Sequence, residues 1–174
     1  MYGQNTRTKY IGAKQRYRHR LMRGELMHYY KNKPDAVACI TGGDDTPQLS
    51  GCVQFFQEDG CVFIEARIFG LPKENHTGFF GFHIHQGRAC SGAGFSGTEG
   101  HYNPTGHPHP EHAGDLPPLV ECQGNAYLSF RTDRFSVHEI IGRTVVIHSD
   151  PDDFHTQPAG NAGKKIACGV ICKG

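Results

Sequence analysis

Gly81-Phe82-His83-Ile84-His85 places two imidazoles two residues apart. Successive side chains of a β-strand alternate between faces, so residues i and i+2 share one face and two imidazoles there can turn toward a single metal ion. Sixteen residues after His85 comes His101, in Gly100-His101-Tyr102-Asn103-Pro104, and His148 closes the run Val145-Val146-Ile147. Four neutral imidazoles on or beside strands form a donor set that suits copper well, and zinc or nickel less decisively. A lone histidine is ordinarily a surface or hydrogen-bonded residue, and His19, His28, His76, His138 and His155 keep that reading.

The elements that must carry these rings read as strands. With 174 residues the chain has the length of one ordinary domain with a real core. Glycine is frequent (23), tryptophan is absent, and short aromatic and β-branched runs are parted by Gly, Pro and Asp clusters, a β-rich mix. Ala36–Ile40 reads as a strand. Gly51–Phe56 and Cys61–Phe69 alternate with period 2 around the turn 57–60 and form a hairpin, with Val62, Ile64, Ala66 and Ile68 toward the core and Glu65 and Arg67 toward water. Gly81–His85, Asn125–Arg131, Thr144–His148 and Ile166–Ile171 add further strands, and Ser136–Ile141 suggests a short helical turn. Gly87–Val120 shows no periodicity, and a loop of that length in a compact domain usually does chemistry or is disordered. Its histidines and Asp115 favour chemistry. Seven or eight short strands with long loops make a sandwich or flattened barrel.

Charge is uneven along the chain. Residues 1–33 hold nine Lys/Arg against Glu25 alone, which leaves nine bases against sixteen acids in the rest. The expected division is a basic leader, 1–33, followed by a folded domain, 34–174. The leader reads as a disordered tail, as a start assigned upstream of Met22 or Met27, or as a nucleic-acid or membrane-surface arm. It lacks the apolar stretch of a secretory signal, and no run reaches transmembrane length, so a cytoplasmic chain without a membrane span is the default. Seven cysteines form no CxxC pattern, and their odd number leaves at least one free thiol in a monomer. Cys39, Cys52, Cys61, Cys122 and Cys172 read as small buried hydrophobes, and the glycosylation triplet Asn75-His76-Thr77 as chance.

Five segments in order, GFHIHQG (81–87), GHYNP (100–104), HAGDLPPL (112–119), GRTVVIHSDPDD (142–153) and GNAGKKIACGVI (160–171), resemble the signature blocks of copper-zinc superoxide dismutases, bacterial type. The similarity runs from about Pro34 to Ile171. It implies an all-β fold, a Greek-key β-barrel or sandwich of about eight antiparallel strands with two long metal-site loops. By the same resemblance His83, His85, His101 and His148 match copper ligands, and His101 bridges copper to zinc. His109, His112 and Asp115 match the other zinc ligands, and Asp152 the carboxylate that orients one histidine from each metal. Cys90 and Cys168 match a disulfide that pins a loop to the last strand. Lys165 stands where the family carries an arginine that guides the anion.

The implied activity is copper-dependent disproportionation of superoxide, a small anionic substrate, to dioxygen and hydrogen peroxide, with His101 supplying a proton. The alternative is a non-catalytic relative, a copper carrier or store or a structural domain. No nucleic acid is expected as partner, and the assembly is a monomer or homodimer. Three departures stand out. Lys165 keeps the charge of arginine but loses its planar fork, which implies lower efficiency. His109 and His112 are three residues apart where the family has a longer spacer, which leaves His107 as a substitute for His109 and a distorted or empty zinc site as an alternative. The segment 152–160 is brief, which implies a more open metal site.

Overall fold

The computed structural model describes residues 33–73 and 76–174; the basic leader, apart from Lys33, and Asn75 of the glycosylation triplet lie outside the described residues. Among the described residues nine strands follow in order: β1 Ala36–Gly42, β2 Ser50–Glu58, β3 Cys61–Phe69, β4 Phe79–Phe80, β5 Phe82–His85, β6 Leu119–Val120, β7 Asn125–Thr132, β8 Thr144–His148 and β9 Lys165–Lys173. A single helical turn, α1 Val137–Ile140, precedes β8.

Alternation of apolar and polar residues decides which face each strand buries. In β2 and β3, Val53, Phe55, Val62, Ile64, Ala66 and Ile68 are fully buried, while Arg67 and Glu65 pair outside at 2.7 Å. Glu58 faces Cys61 across a two-residue turn, and Gly60 takes the positive φ of 76° that such a tight Asp-Gly turn demands. Each fully buried aliphatic or aromatic side chain contributes roughly 1.5–3 kcal/mol.

Seven strands form one antiparallel sheet in the order β5-β8-β9-β1-β2-β3-β7. Residues from both edges, Phe82 and Ile84 on β5 and Ala126 on β7, belong to a single apolar cluster with Ala36, Phe55, Ile64, Val145 and Ile171. A flat sheet cannot bring its two edges into one core, so the sheet is curled into a barrel. The chain passes from β5 at one edge to β7 at the other and returns to β8 beside β5, a Greek-key course. The two-residue strands β4 and β6 pair with each other, and β6 lies against β7, which helps span the open side.

Two details differ from the sequence reading. The stretch 87–120 contains 3₁₀ turns at Ala93–Thr98 and the strand β6. Cys39, Cys122 and Cys172 are exposed, and Cys52 and Cys61 half-buried. The cause is register. With Ala36, Ala38 and Ile40 packed inward, Cys39 must point out.

β5 and β8 are buried on both faces. Phe82, Ile84, Val145 and Ile147 enter the barrel core, so His83, His85 and His148 project from its outside, beneath loop. The long loop docks on the second edge of β5. The Ile84 N–H donates to Gly114 O at 2.9 Å, and Tyr102 N–H donates to Ile84 O at 2.8 Å. Gly114 N–H in turn donates to Tyr102 O at 2.8 Å, tying the two arms of the loop together. A Cβ at Gly114 would run into the Ile84 carbonyl oxygen and press on the backbone of Tyr102.

Gly114→Ala therefore forces the loop off β5. The expected cost is about 1–3 kcal/mol in urea unfolding, together with faster loss of metal to a chelator; an unchanged midpoint with unchanged metal retention contradicts this account of loop docking.

Candidate metal centre

His83 and His85 come from β5, His148 from the end of β8, and His101 from the long loop. The ladder sets His83 opposite Val146, so His148, two residues further on, is its diagonal neighbour on the same face. His101 faces His85 across an isolated bridge. The four rings form a quadrilateral. Its sides, measured between centroids, are His83–His101 4.0 Å, His101–His85 4.9 Å, His85–His148 5.4 Å and His148–His83 4.9 Å. The diagonals are 6.3 Å for His83–His85 and 6.0 Å for His101–His148. One ring nitrogen of each lies within 4.8 Å of those of the other three, and an all-imidazole donor set suits copper.

Tautomers follow from the partners. A carbonyl only accepts, so His85 Nδ1 donates to Glu99 O at 2.9 Å and His148 Nδ1 donates to Gly163 O at 3.5 Å. The lone pairs of both Nε2 atoms then face each other at 3.2 Å, a repulsive contact unless a cation lies between them. His83 Nε2 donates to Asp152 Oδ2 at 2.8 Å, and its Nδ1 is buried without a partner, as is His101 Nε2. One bare nitrogen per ring thus turns inward.

A second group adjoins the first. His101 Nδ1 lies 2.7 Å from Asp115 Oδ1. His109 Nδ1 and His112 Nδ1 are 3.0 and 3.3 Å from Asp115 Oδ2, and both nitrogens lack a hydrogen-bond partner. Three imidazoles and one carboxylate are a tetrahedral zinc set. In each group all ligand atoms lie within 4.8 Å of one another, and His101 is common to both. Asp152 joins them, since its Oδ1 accepts from His109 Nε2 at 2.9 Å while Oδ2 serves His83.

Burial holds His83, His85 and His112 below the ordinary histidine range and takes His148 down to about 3, with neighbouring imidazoles adding to the shift in each case. The rings are therefore neutral, the form that binds metal. Burial alone would raise both Asp115 and Asp152. Hydrogen bonds from His101 to the first, and from His83, Phe154 N–H and His109 to the second, outweigh it and hold both carboxyls low.

The profile of the copper/zinc superoxide dismutase (SODC) family matches residues 49–171. The chain belongs to the copper-zinc superoxide dismutase family. It is 35% identical over 139 residues to superoxide dismutase [Cu-Zn] 2 of Aquifex aeolicus, covering 71% of this chain and 80% of that protein. It is also 35% identical to superoxide dismutase [Cu-Zn] 2 of Mesembryanthemum crystallinum, covering 78% of this chain and 93% of the relative. The extracellular superoxide dismutase [Cu-Zn] of Rattus norvegicus matches at 35% identity, over 73% of this chain and 56% of its own length.

Within this dismutase fold the shortened His109–His112 spacer still brings both rings to Asp115, whereas His107 stands exposed 3.9 Å from Glu111 and joins neither group. The brief segment 152–160 does not leave the rings open: His83, His85, His101 and His148 are 0, 1, 7 and 4% exposed. His155 is exposed and bonds to Asp153. Cys90 and Cys168 form a disulfide. The sequence reading had missed Thr98 and Glu99. Lys165 Nζ donates to Thr98 Oγ1 at 2.7 Å and to Glu99 O at 2.8 Å, and that same carbonyl takes the His85 proton. Arg134 was missed too; its Nη1 donates to Asp115 O at 2.9 Å and lies within reach of the His112 and Pro110 carbonyls.

Two outcomes follow. The folded metal-free protein resists protonating its depressed histidines, while the unfolded chain takes protons below about pH 6.5. The unfolded state then binds more protons, so stability rises with pH up to that value and is lost on acidification. The melting temperature of chelator-stripped protein should fall steadily from pH 7 to pH 5; a flat profile contradicts the burial argument. Asp152→Ala frees His83 and His109 together, and equilibrium titration should show both metals bound about 10–100-fold more weakly, whereas weakening of one metal alone would disconnect the two groups.

Proposed function

We propose that this superoxide dismutase holds copper on His83, His85, His101 and His148 and zinc on His101, His109, His112 and Asp115, and that residues 34–174 carry the whole activity. The reaction is disproportionation of superoxide to dioxygen and hydrogen peroxide, and the cofactors are copper and zinc. The residue assignment is carried by one observation. Among the described residues the buried imidazole nitrogens left without a partner, His83 Nδ1, His101 Nε2, His109 Nδ1 and His112 Nδ1, are those that a metal in each group would claim.

Copper bound there supplies the alternate one-electron oxidation and reduction of superoxide. The protein's own groups do the rest. His101 belongs to both donor groups and has two nitrogens that can hold a proton, and Asp115 fixes its ring. Asp152 keeps Nε2 of His83 and His109 protonated, so that Nδ1 of each is the donor. Lys165 provides the positive spot for a small anion in an otherwise acidic domain. Two of its three ammonium protons are engaged by Thr98 and Glu99, which aims the third. Among the described residues no helix is long and apolar enough to cross a membrane. Superoxide is the partner, no nucleic acid takes part, and the assembly is a monomer or homodimer.

Protein loaded with copper and zinc should speed superoxide decay. Lys165→Gln should lower kcat/KM by about 10-fold at low ionic strength and flatten its salt dependence, with copper content unchanged. Loaded protein that binds copper yet decays superoxide no faster than buffer sinks this reading in favour of a copper carrier.

A further inference from the structure

Five described cysteines stand outside the Cys90–Cys168 disulfide, and two of them face each other. Cys39 on β1 and Cys52 on β2 are register partners. The Gly42 N–H donates to Leu49 O at 2.8 Å, which fixes the phase of a ladder that keeps one register from Ala36↔Phe55 to Thr41↔Ser50. Hydrogen-bonded and non-bonded pairs alternate along antiparallel strands. Counting in from Gly42, Ile40–Gly51 is bonded and Cys39–Cys52 is not. Non-bonded partners stand with Cα atoms about 4.5 Å apart and side chains close, inside the roughly 4.4–6.8 Å window that a disulfide spans.

Both thiols lie on the outer face of the sheet, Cys39 exposed and Cys52 half-buried. Arg67 is the register partner of Cys52 on its other side. Burial and Cys39 push the Cys52 thiol up, and the Arg67 guanidinium opposes them. Cys172, also exposed, is the register partner of Val37, a neighbour of Cys39 by a diagonal.

We propose that Cys39 and Cys52 form a peroxide-responsive thiol pair, closed to a cross-strand disulfide by hydrogen peroxide and reopened by a dithiol reductant. That the peroxide is the protein's own product rests on the dismutase reading; the thiol chemistry does not. The exposed Cys39 thiolate attacks one peroxide oxygen. An S–O bond forms, the O–O bond breaks, and hydroxide leaves as water after taking a proton, which makes a sulfenic acid. Cys52 sulfur then attacks Cys39 sulfur, the S–S bond forms, the S–O bond breaks, and a second water leaves. Two thiols lose two electrons and two protons, and peroxide is reduced to two waters. The Cys90–Cys168 bridge, whose Cys168 is 2% exposed, stays closed throughout.

The test uses the holoenzyme after mild dithiol treatment that a peptide map shows to leave Cys90–Cys168 intact. Stoichiometric peroxide should remove the mass of two hydrogen atoms, abolish alkylation of two thiols, and yield a Cys39–Cys52 cross-linked peptide. Cys39→Ser and Cys52→Ser should each abolish the mass loss, and Cys172→Ser should retain it. Addition of oxygen atoms without a cross-link, a Cys39–Cys172 bridge, or only intermolecular dimers overturns the proposal. In a second arm an enzymatic superoxide source replaces peroxide, with and without catalase. Closure that catalase prevents shows that peroxide is the oxidant and supports the thiol pair alone, because superoxide also disproportionates unaided to the same peroxide; closure that persists with catalase overturns the proposal. Closure by added peroxide in a copper- and zinc-loaded protein that decays superoxide no faster than buffer keeps the thiol pair and removes the dismutase reading.

Discussion

The bridging carboxylate of Asp152 is the interaction on which the centre depends. Its two oxygens accept protons from His83 Nε2 and His109 Nε2, one ring from each donor group, at 2.8 and 2.9 Å. A third donor, the Phe154 N–H, lies 2.7 Å from Oδ1. A buried anion without such donors would cost several kcal/mol. With them it settles the tautomer of two imidazoles at once, and so decides which nitrogen of each is bare. The backbone at Gly160 closes over this carboxylate so tightly that a Cβ there would strike Asp152 and His109, and its φ of 63° suits glycine independently.

The barrel makes that polar cluster affordable to the fold. β5 sends Phe82 and Ile84 into the apolar core and His83 and His85 to the other face, so one four-residue strand anchors both the core and the metal centre. β8 does the same with Val145 and Ile147 on one side and His148 on the other. The long loop cannot drift from these strands, because its two arms complete the backbone hydrogen bonds of Ile84. Positions that would be an exposed sheet edge instead hold His101 and Asp115 against β5.

How much of this was legible in the chain depended on what kind of contact carries it. The period-2 alternation of Val62, Ile64, Ala66 and Ile68 exposed the hairpin, and the spacing of His83 and His85 exposed a shared face. Strands of two residues, β4 and β6, are too short to show any period. The spacing of His107, His109 and His112 left the zinc set open, since the path of a proline-rich loop is decided by its docking on β5 and by Arg134, far away in sequence. Glu99 acts through its main-chain oxygen, which every residue type possesses, so no side-chain pattern could announce it. The cysteines misled through composition: a residue type that usually hides is displayed on β1 because its alanine and isoleucine neighbours take the inward positions.

That main-chain oxygen of Glu99 has a consequence of its own. Its two lone pairs are divided between the His85 ring and the ammonium of Lys165. A stronger pull by one donor withdraws electron density from the bond to the other. If Lys165 draws the anion and His85 holds copper, as proposed, attraction of the anion and donor strength at the metal are linked variables, and variation at position 165 retunes both together.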